Sequence, residues 1–94
     1  MTASARASLQ HEDERTRVTR WDFEPGQSTG QHVHEYDYVV VPVTDGQTDV
    51  ISSDGSVTVS QLKAGESYTR PAGGAHEVLN TGSSPLAFVE IEFK

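Results

Sequence analysis

Turn-forming pairs of residues divide the chain into short segments from residue 16 onward. The close spacing of these turns limits the possible folds more than any other feature of the sequence. Pro25-Gly26, Asp45-Gly46 and Asp54-Gly55 each close a segment that is rich in β-branched, aromatic or alternating apolar residues. Asp-Gly pairs are typical of tight β-hairpin turns. After position 15, no stretch as long as a typical helix repeats its apolar residues at helical spacing. The pattern therefore predicts an all-β sandwich or barrel.

The predicted strands are short and follow one another closely. They span 16–23, 31–43, a stretch around 50–51, 57–62, 68–70, 76–80 and 86–93. In the last of them, Ala87, Val89, Ile91 and Phe93 share one face, because strand side chains alternate in direction. Glu90 and Glu92 point the other way, and the sequence leaves open whether they face the interior. The residues expected in the core or in a dimer interface are Trp21, Phe23, Phe88, Ile91 and Phe93.

Size and charge exclude several classes of partner. Ninety-four residues suit one domain. A formal net charge of −7 repels phosphate backbones and anionic lipids, so neither nucleic acid nor a membrane is an expected partner. The chain has no cysteine, which leaves histidine and carboxylates as its strong metal ligands. Without a long apolar segment, a cytoplasmic location is expected. Residues 1–15 are polar and predict a mobile N-terminal arm or an edge-covering strand ahead of a domain at 16–94.

Two histidines stand out in the most strand-like segment. His32 and His34 are two residues apart, so on a strand both imidazoles would leave the same face, roughly 7 Å apart at their Cα atoms. That separation suits two ligands that converge on one ion. Alone, however, such a pair is more often a surface feature than a site.

The wider spacing around these histidines resembles that of a known superfamily. Gly65, Pro71, Gly73, His76 and Asn80 follow one another at the intervals of the second cupin signature. Upstream, the positions that match the first signature are Gly26, His32, His34 and Gly46. The run 34–42, followed by Thr44-Asp45-Gly46, is similar to small bacterial cupins associated with β-alanine degradation.

The resemblance implies a cupin-type double-stranded β-helix, a jelly-roll barrel, over about residues 16–94. It also implies a metal site in which His76 faces the pair formed by His32 and His34. The family places a glutamate at a position that here is Tyr38 or Val39. A three-histidine site is therefore expected, with the Tyr38 phenol as an additional ligand or general acid. A β-bulge that turns Asp37 inward is the alternative.

Further residues could line the barrel mouth. Arg70 lies beside the turn of the second signature and could clamp a carboxylate through its two-pronged guanidinium. Tyr36 and Tyr68 are the other candidates for substrate binding, whereas His11 is expected to be unrelated to the site. Asn80 is expected to satisfy backbone groups at a turn.

Two functions are compatible with such a site. The first is an enzyme whose single divalent transition metal binds a small carboxylate or amino-acid-derived molecule, as in a dioxygenase-type oxidoreductase. The second is a non-catalytic module that senses or sequesters a small molecule or a metal. Imidazole ligands suit Fe, Ni, Zn and Cu, and Mn is a further candidate, so the metal's identity stays open. A homodimer is expected, because a small β-protein must cover its exposed edges.

Overall fold

The turn signals in the sequence separate the strands of two antiparallel sheets. The structure is a computed structural model that describes residues 4–94. Within that range the strands are β1 (Arg6–Glu12), β2 (Thr16–Phe23), β3 (His32–Val33), β4 (Asp37–Pro42), β5 (Gly46–Ser52), β6 (Val57–Leu62), β7 (Tyr68–Arg70), β8 (Ala75–Asn80) and β9 (Leu86–Phe93). One sheet has the order β1-β2-β9-β4-β7 and the other β3-β8-β5-β6. The expected all-β architecture is confirmed.

The polar N-terminal segment contributes an edge strand. β1 pairs antiparallel with β2, from Arg6 opposite Asp22 to Glu12 opposite Arg17, with a register shift between Leu9 and His11. Residues 1–15 were expected to form either a mobile arm or an edge-covering strand. Over Arg6–Glu12 the structure has the edge strand; residues 1–3 lie outside the described range. This strand covers the edge of β2, which would otherwise expose unpaired backbone groups.

The single strand expected over 31–43 is wrong in one respect. The chain leaves the four-stranded sheet after Val33 and enters the five-stranded sheet at Asp37, so β3 and β4 belong to different sheets. β3 pairs with β8, whereas β4 pairs with β7 and β9. His34 lies in the crossing, where its backbone bonds to a turn instead of to a neighbouring strand.

The core lies between the two sheets. Its buried members are Phe23, Tyr38, Val40, Leu62, Leu86 and Phe88, and Trp21 and Val78 pack against them. The expected alternation along β9 is confirmed, but the apolar row that ends in Val89, Ile91 and Phe93 lies on the outer face of the sheet. Inward positions instead carry Leu86, Phe88, Glu90 and Glu92. Phe23 and Phe88 are core residues as expected, whereas Ile91 is only half-buried and Phe93 is largely exposed.

A close approach between the sheets explains one glycine of the first signature. A Cβ atom at Gly46 would lie 2.9 Å from Cδ2 and 3.2 Å from Cβ of Leu86, a buried side chain at the start of β9. Such distances are shorter than van der Waals contact, so any larger residue would push β5 away from β9. Among residues 4–94, no helix is long and apolar enough to cross a membrane.

Candidate metal centre

Three imidazoles converge at one end of the space between the sheets. His32 lies on β3, His34 follows it, and His76 lies on β8 directly opposite His32 in the strand pairing. One ring nitrogen from each lies within 4.8 Å of the others. The ring centroids are 4.7 to 5.1 Å apart. The structure therefore brings together the three histidines that the spacing singles out.

A turn from the second signature holds the backbone of His34. The Gly73 N–H donates to the His34 carbonyl at 2.8 Å, and the His34 N–H donates to the Gly74 carbonyl at 3.2 Å. Gly73 has φ +93°, a left-handed conformation that glycine adopts without steric cost. The two signatures, distant in the sequence, are thus joined at the site by a reciprocal pair of backbone hydrogen bonds.

A hydrogen bond to the backbone orients the His32 imidazole so that its Nε2 faces Nε2 of His34. Nδ1 of His32 lies 3.0 Å from the Gly30 carbonyl, which can only accept, so the Nδ1–H donates to it. Nε2 of His32 lies 3.0 Å from Nε2 of His34. On its other side, the His34 ring stacks on Tyr38 with centroids 3.9 Å apart and planes at 23°.

The charge state of these histidines also suits metal binding. Burial, together with the neighbouring His32 and His76, lowers the pKa of His34 to about 4. Burial likewise lowers the pKa of His76, helped by His32 and by Arg70. These two imidazoles are therefore neutral near pH 7, which is the form that coordinates metals. The donor set, three imidazole nitrogens that converge on one point, fits a divalent transition metal.

A buried carboxylate lies beside His34. The sequence left open whether this side chain faces the interior or the solvent. Glu90 on β9 is 6% exposed, and its Oε2 lies 3.7 Å from Nε2 of His34. The Trp21 indole N–H donates to its Oε1 at 3.0 Å. The pKa of Glu90 is raised to about 7, chiefly by burial and also by Glu92, while the Trp21 hydrogen bond opposes the rise. The alternation of Glu90 and Glu92 with apolar neighbours was the available signal, but alternation alone does not say which face is inward.

Of Tyr38 and Val39, the two positions where the resemblance implies a glutamate, Tyr38 points inward. It is 3% exposed, whereas Val39 lies on the opposite face and is half-buried. Burial raises the pKa of the Tyr38 phenol, so it stays protonated, a hydrogen-bond donor. The inward bulge at Asp37 is wrong: β4 pairs with β9 in continuous register, and exposed Asp37 accepts a hydrogen bond from Ala72 N–H at 2.8 Å.

A cavity of about 280 Å³ extends from this centre between the sheets. His76 and Glu90 line it, and so do Arg70 and Tyr68, with the Arg70 guanidinium 4.6 Å from the centre of the Tyr68 ring. Tyr36 lies apart from this lining, 5.9 Å beneath the guanidinium of Arg17. The remaining lining is Tyr38, Val40, Thr48, Val50, Thr58, Val59, Ser60, Leu62, Val78 and Phe88. His11 is exposed on β1, where it pairs with Asp13.

Comparison with known proteins agrees with this geometry. The family model of the Cupin domain matches residues 19–92. The β-alanine degradation protein BauB of Pseudomonas aeruginosa is 46% identical over 77 residues, covering 82% of this chain and 80% of BauB.

Solved structures show the same fold. A cupin domain from Bordetella pertussis is 45% identical, covers 100% of this chain and 97% of its own, and superposes with a TM-score of 0.94. A Klebsiella pneumoniae protein with a double-stranded β-helix domain is 28% identical with a TM-score of 0.77, covering 94% of this chain and 75% of its own. The two sheets are therefore a double-stranded β-helix, and the chain belongs to the cupin family.

Proposed function

We propose that this cupin binds one divalent transition metal through His32, His34 and His76 and holds a small carboxylate in the adjoining cavity. The convergence of three imidazoles beside a cavity that His76 and an arginine both line supports this proposal. A bound ion would act there as a Lewis acid. Fe, Ni, Zn, Cu and Mn are all candidates for it.

Arg70 and Tyr38 are the residues proposed to hold the organic ligand. They lie opposite each other in the pairing of β7 with β4, so both side chains enter the cavity from adjacent strands. Within residues 4–94, no carboxylate oxygen lies within 4.0 Å of Arg70, which leaves its guanidinium available to an anion. The protonated phenol of Tyr38 supplies a hydrogen bond or a proton to the ligand.

The remainder of the cavity favours a short aliphatic body. Val40, Val50, Leu62, Val78 and Phe88 contribute its apolar wall. Such a wall excludes water and strengthens the polar contacts at the other end. The name of the Pseudomonas aeruginosa relative refers to β-alanine degradation, which supports a small amino-acid-derived acid as the ligand.

Metal analysis and a turnover screen test this proposal. Protein purified without a His tag should contain a transition metal, or take one up on titration, in a ratio of one per chain. The loaded protein is then screened for oxygen consumption with β-alanine and with linear monocarboxylates. Oxygen uptake would identify a dioxygenase-type oxidoreductase, and binding without turnover a non-catalytic module. A protein that takes up no metal would contradict the proposal.

Arg70→Gln is expected to weaken carboxylate binding by about 10- to 100-fold, because it removes a charge-assisted hydrogen bond. The affinity of the loaded protein for the tightest-binding acid of the screen is measured by calorimetry. Arg20→Gln is the matched control, since Arg20 pairs with Asp22 on β2 and does not line the cavity. Equal affinities of the two variants would contradict the proposed role of Arg70.

We also propose that the outer face of the five-stranded sheet forms a homodimer with a second copy of the chain. Val39, Val41, Val89, Ile91 and Phe93 form an apolar patch there, half-buried except for Phe93, which is 47% exposed. Val39 and Val41 lie opposite Ile91 and Val89, so the patch is continuous across β4 and β9. A contiguous apolar centre is typical of homodimer interfaces.

Ile91→Arg is expected to convert the dimer to a monomer, because it places a charge at the centre of the patch. Light scattering should then give the 10.2 kDa of one chain in place of twice that mass. Val57→Arg, at an exposed position on β6 of the other sheet, should leave the dimer intact. A monomeric wild-type protein at high concentration would contradict the proposal.

A further inference from the structure

The carboxylate of Glu90 is on the same side of His34 as the other imidazoles. A carboxylate that merely orients a ligating histidine contacts the ring nitrogen that does not bind the metal. Here Oε2 of Glu90 lies 3.7 Å from Nε2 of His34, and that same Nε2 lies 3.0 Å from Nε2 of His32. Glu90 therefore approaches His34 on the side of the Nε2 that faces His32, and not at the back of the ring.

The surroundings of Glu90 supply one hydrogen bond and no fixed cation. Trp21 N–H occupies Oε1, which leaves Oε2 directed at His34. Within the described residues, no lysine or arginine nitrogen lies within 4.0 Å of this carboxylate. A buried carboxylate without a cation is costly, and a bound metal would offset that cost.

Glu92, two residues along the same strand face, is different. It is 8% exposed, but Nη1 of Arg17 lies 3.7 Å from its Oε2. Its charge is thus met by the protein itself. Glu90 and Glu92 share a residue type, a strand and a degree of burial, and they differ in what their carboxylates face.

We propose that Glu90 is a ligand of the metal held by the three histidines, and that Trp21 is the residue that positions it. The inference rests on the metal site of the proposed function. It implies that the carboxylate missing from the first signature, where Tyr38 stands, is supplied by β9. The site would then carry one anionic and three neutral ligands.

A Co²⁺ titration of wild type, Glu90→Gln and Glu92→Gln tests this assignment. Both substitutions keep the side chain's shape and remove its charge. Trp21, the only tryptophan of the chain, reports binding through its fluorescence, and visible absorption reports the coordination of the ion. We expect Glu90→Gln to raise the Kd by on the order of 100-fold and to change the absorption spectrum. Glu92→Gln should stay within about threefold of wild type with an unchanged spectrum.

Two further variants keep the assignment open to refutation if Glu90→Gln is poorly folded. Glu90→Asp retains the charge at a shorter reach and should bind with an intermediate Kd. Trp21→Phe should raise the Kd by about 10-fold while preserving the absorption spectrum, because the ligand is kept and only its orientation is lost. Wild-type affinity and spectrum in Glu90→Gln, or equal weakening in both glutamine variants, would overturn the assignment alone. A wild-type protein that binds no Co²⁺ would overturn the metal site as well.

Discussion

Replacing His76 with alanine is expected to raise the Kd for a divalent transition metal by at least about 100-fold. His76 is the only one of the three imidazoles that comes from the second signature, and it lies opposite His32 across the β3–β8 pair. Its loss removes one of the three imidazole donors and leaves only His32 and His34, which come from one segment of the chain. Competition against a chromophoric chelator measures the change.

The fourth histidine of the chain provides the control for this experiment. His11→Ala changes an exposed residue on β1 that pairs with Asp13, away from the cavity. It should leave the Kd within about threefold of wild type. Metal should also raise the melting temperature of wild type and of His11→Ala but not that of His76→Ala, because a ligand stabilises only the state that binds it. Retention of tight binding by His76→Ala would refute the three-histidine centre.

Asn80→Ala is expected to lower the free energy of unfolding by about 2–4 kcal/mol. Asn80 is 1% exposed, and its Nδ2 donates to the carbonyl of Ser84 at 3.0 Å and lies 3.5 Å from that of Phe23. Its Oδ1 accepts from Gly82 N–H at 3.0 Å. Alanine would remove the partner of these buried and partly buried backbone groups, and a fully buried group left unpaired costs about 1–3 kcal/mol.

Urea denaturation measures this loss, with Thr81→Val as the control. Thr81 is the exposed neighbour of Asn80, and its hydroxyl lies 3.3 Å from the Gln47 carbonyl at the surface. Removing that hydroxyl should cost less than about 1 kcal/mol, since water can replace it. If Asn80→Ala were as stable as Thr81→Val, the asparagine of the second signature would have a role other than satisfying this turn.

Much of this architecture was predictable because local rules act on neighbouring residues. Turn pairs end strands wherever they occur, so the bounds of β2, β6, β7 and β9 agree with the expected segments. The turn of the second signature carries Gly73 in the left-handed conformation that few other residues adopt, and His76 follows it on β8. The spacing of the signatures was enough to identify His32, His34 and His76 as the residues that converge.

The wrong expectations concern segments whose hydrogen-bonding partners are distant in the sequence. The strand-like run 31–43 is interrupted because His34 bonds to Gly73 and Gly74 in place of a neighbouring strand. The apolar row Ala87, Val89, Ile91 and Phe93 faces outward because pairing with β2 and β4 turns Leu86 and Phe88 toward the core. An apolar face can be buried either in the core or against a second copy of the chain, so hydrophobicity alone does not identify the inner face.

By itself, then, the sequence determined an all-β fold, because turn chemistry is a local property of the chain, and its resemblance to the cupin signatures implied the three histidines. Only the tertiary structure decided which face of β9 is buried, and so brought Glu90 between Trp21 and His34. A strand alternates identically in either orientation, so the choice of inner face depends on the pairing and packing of the whole sheet.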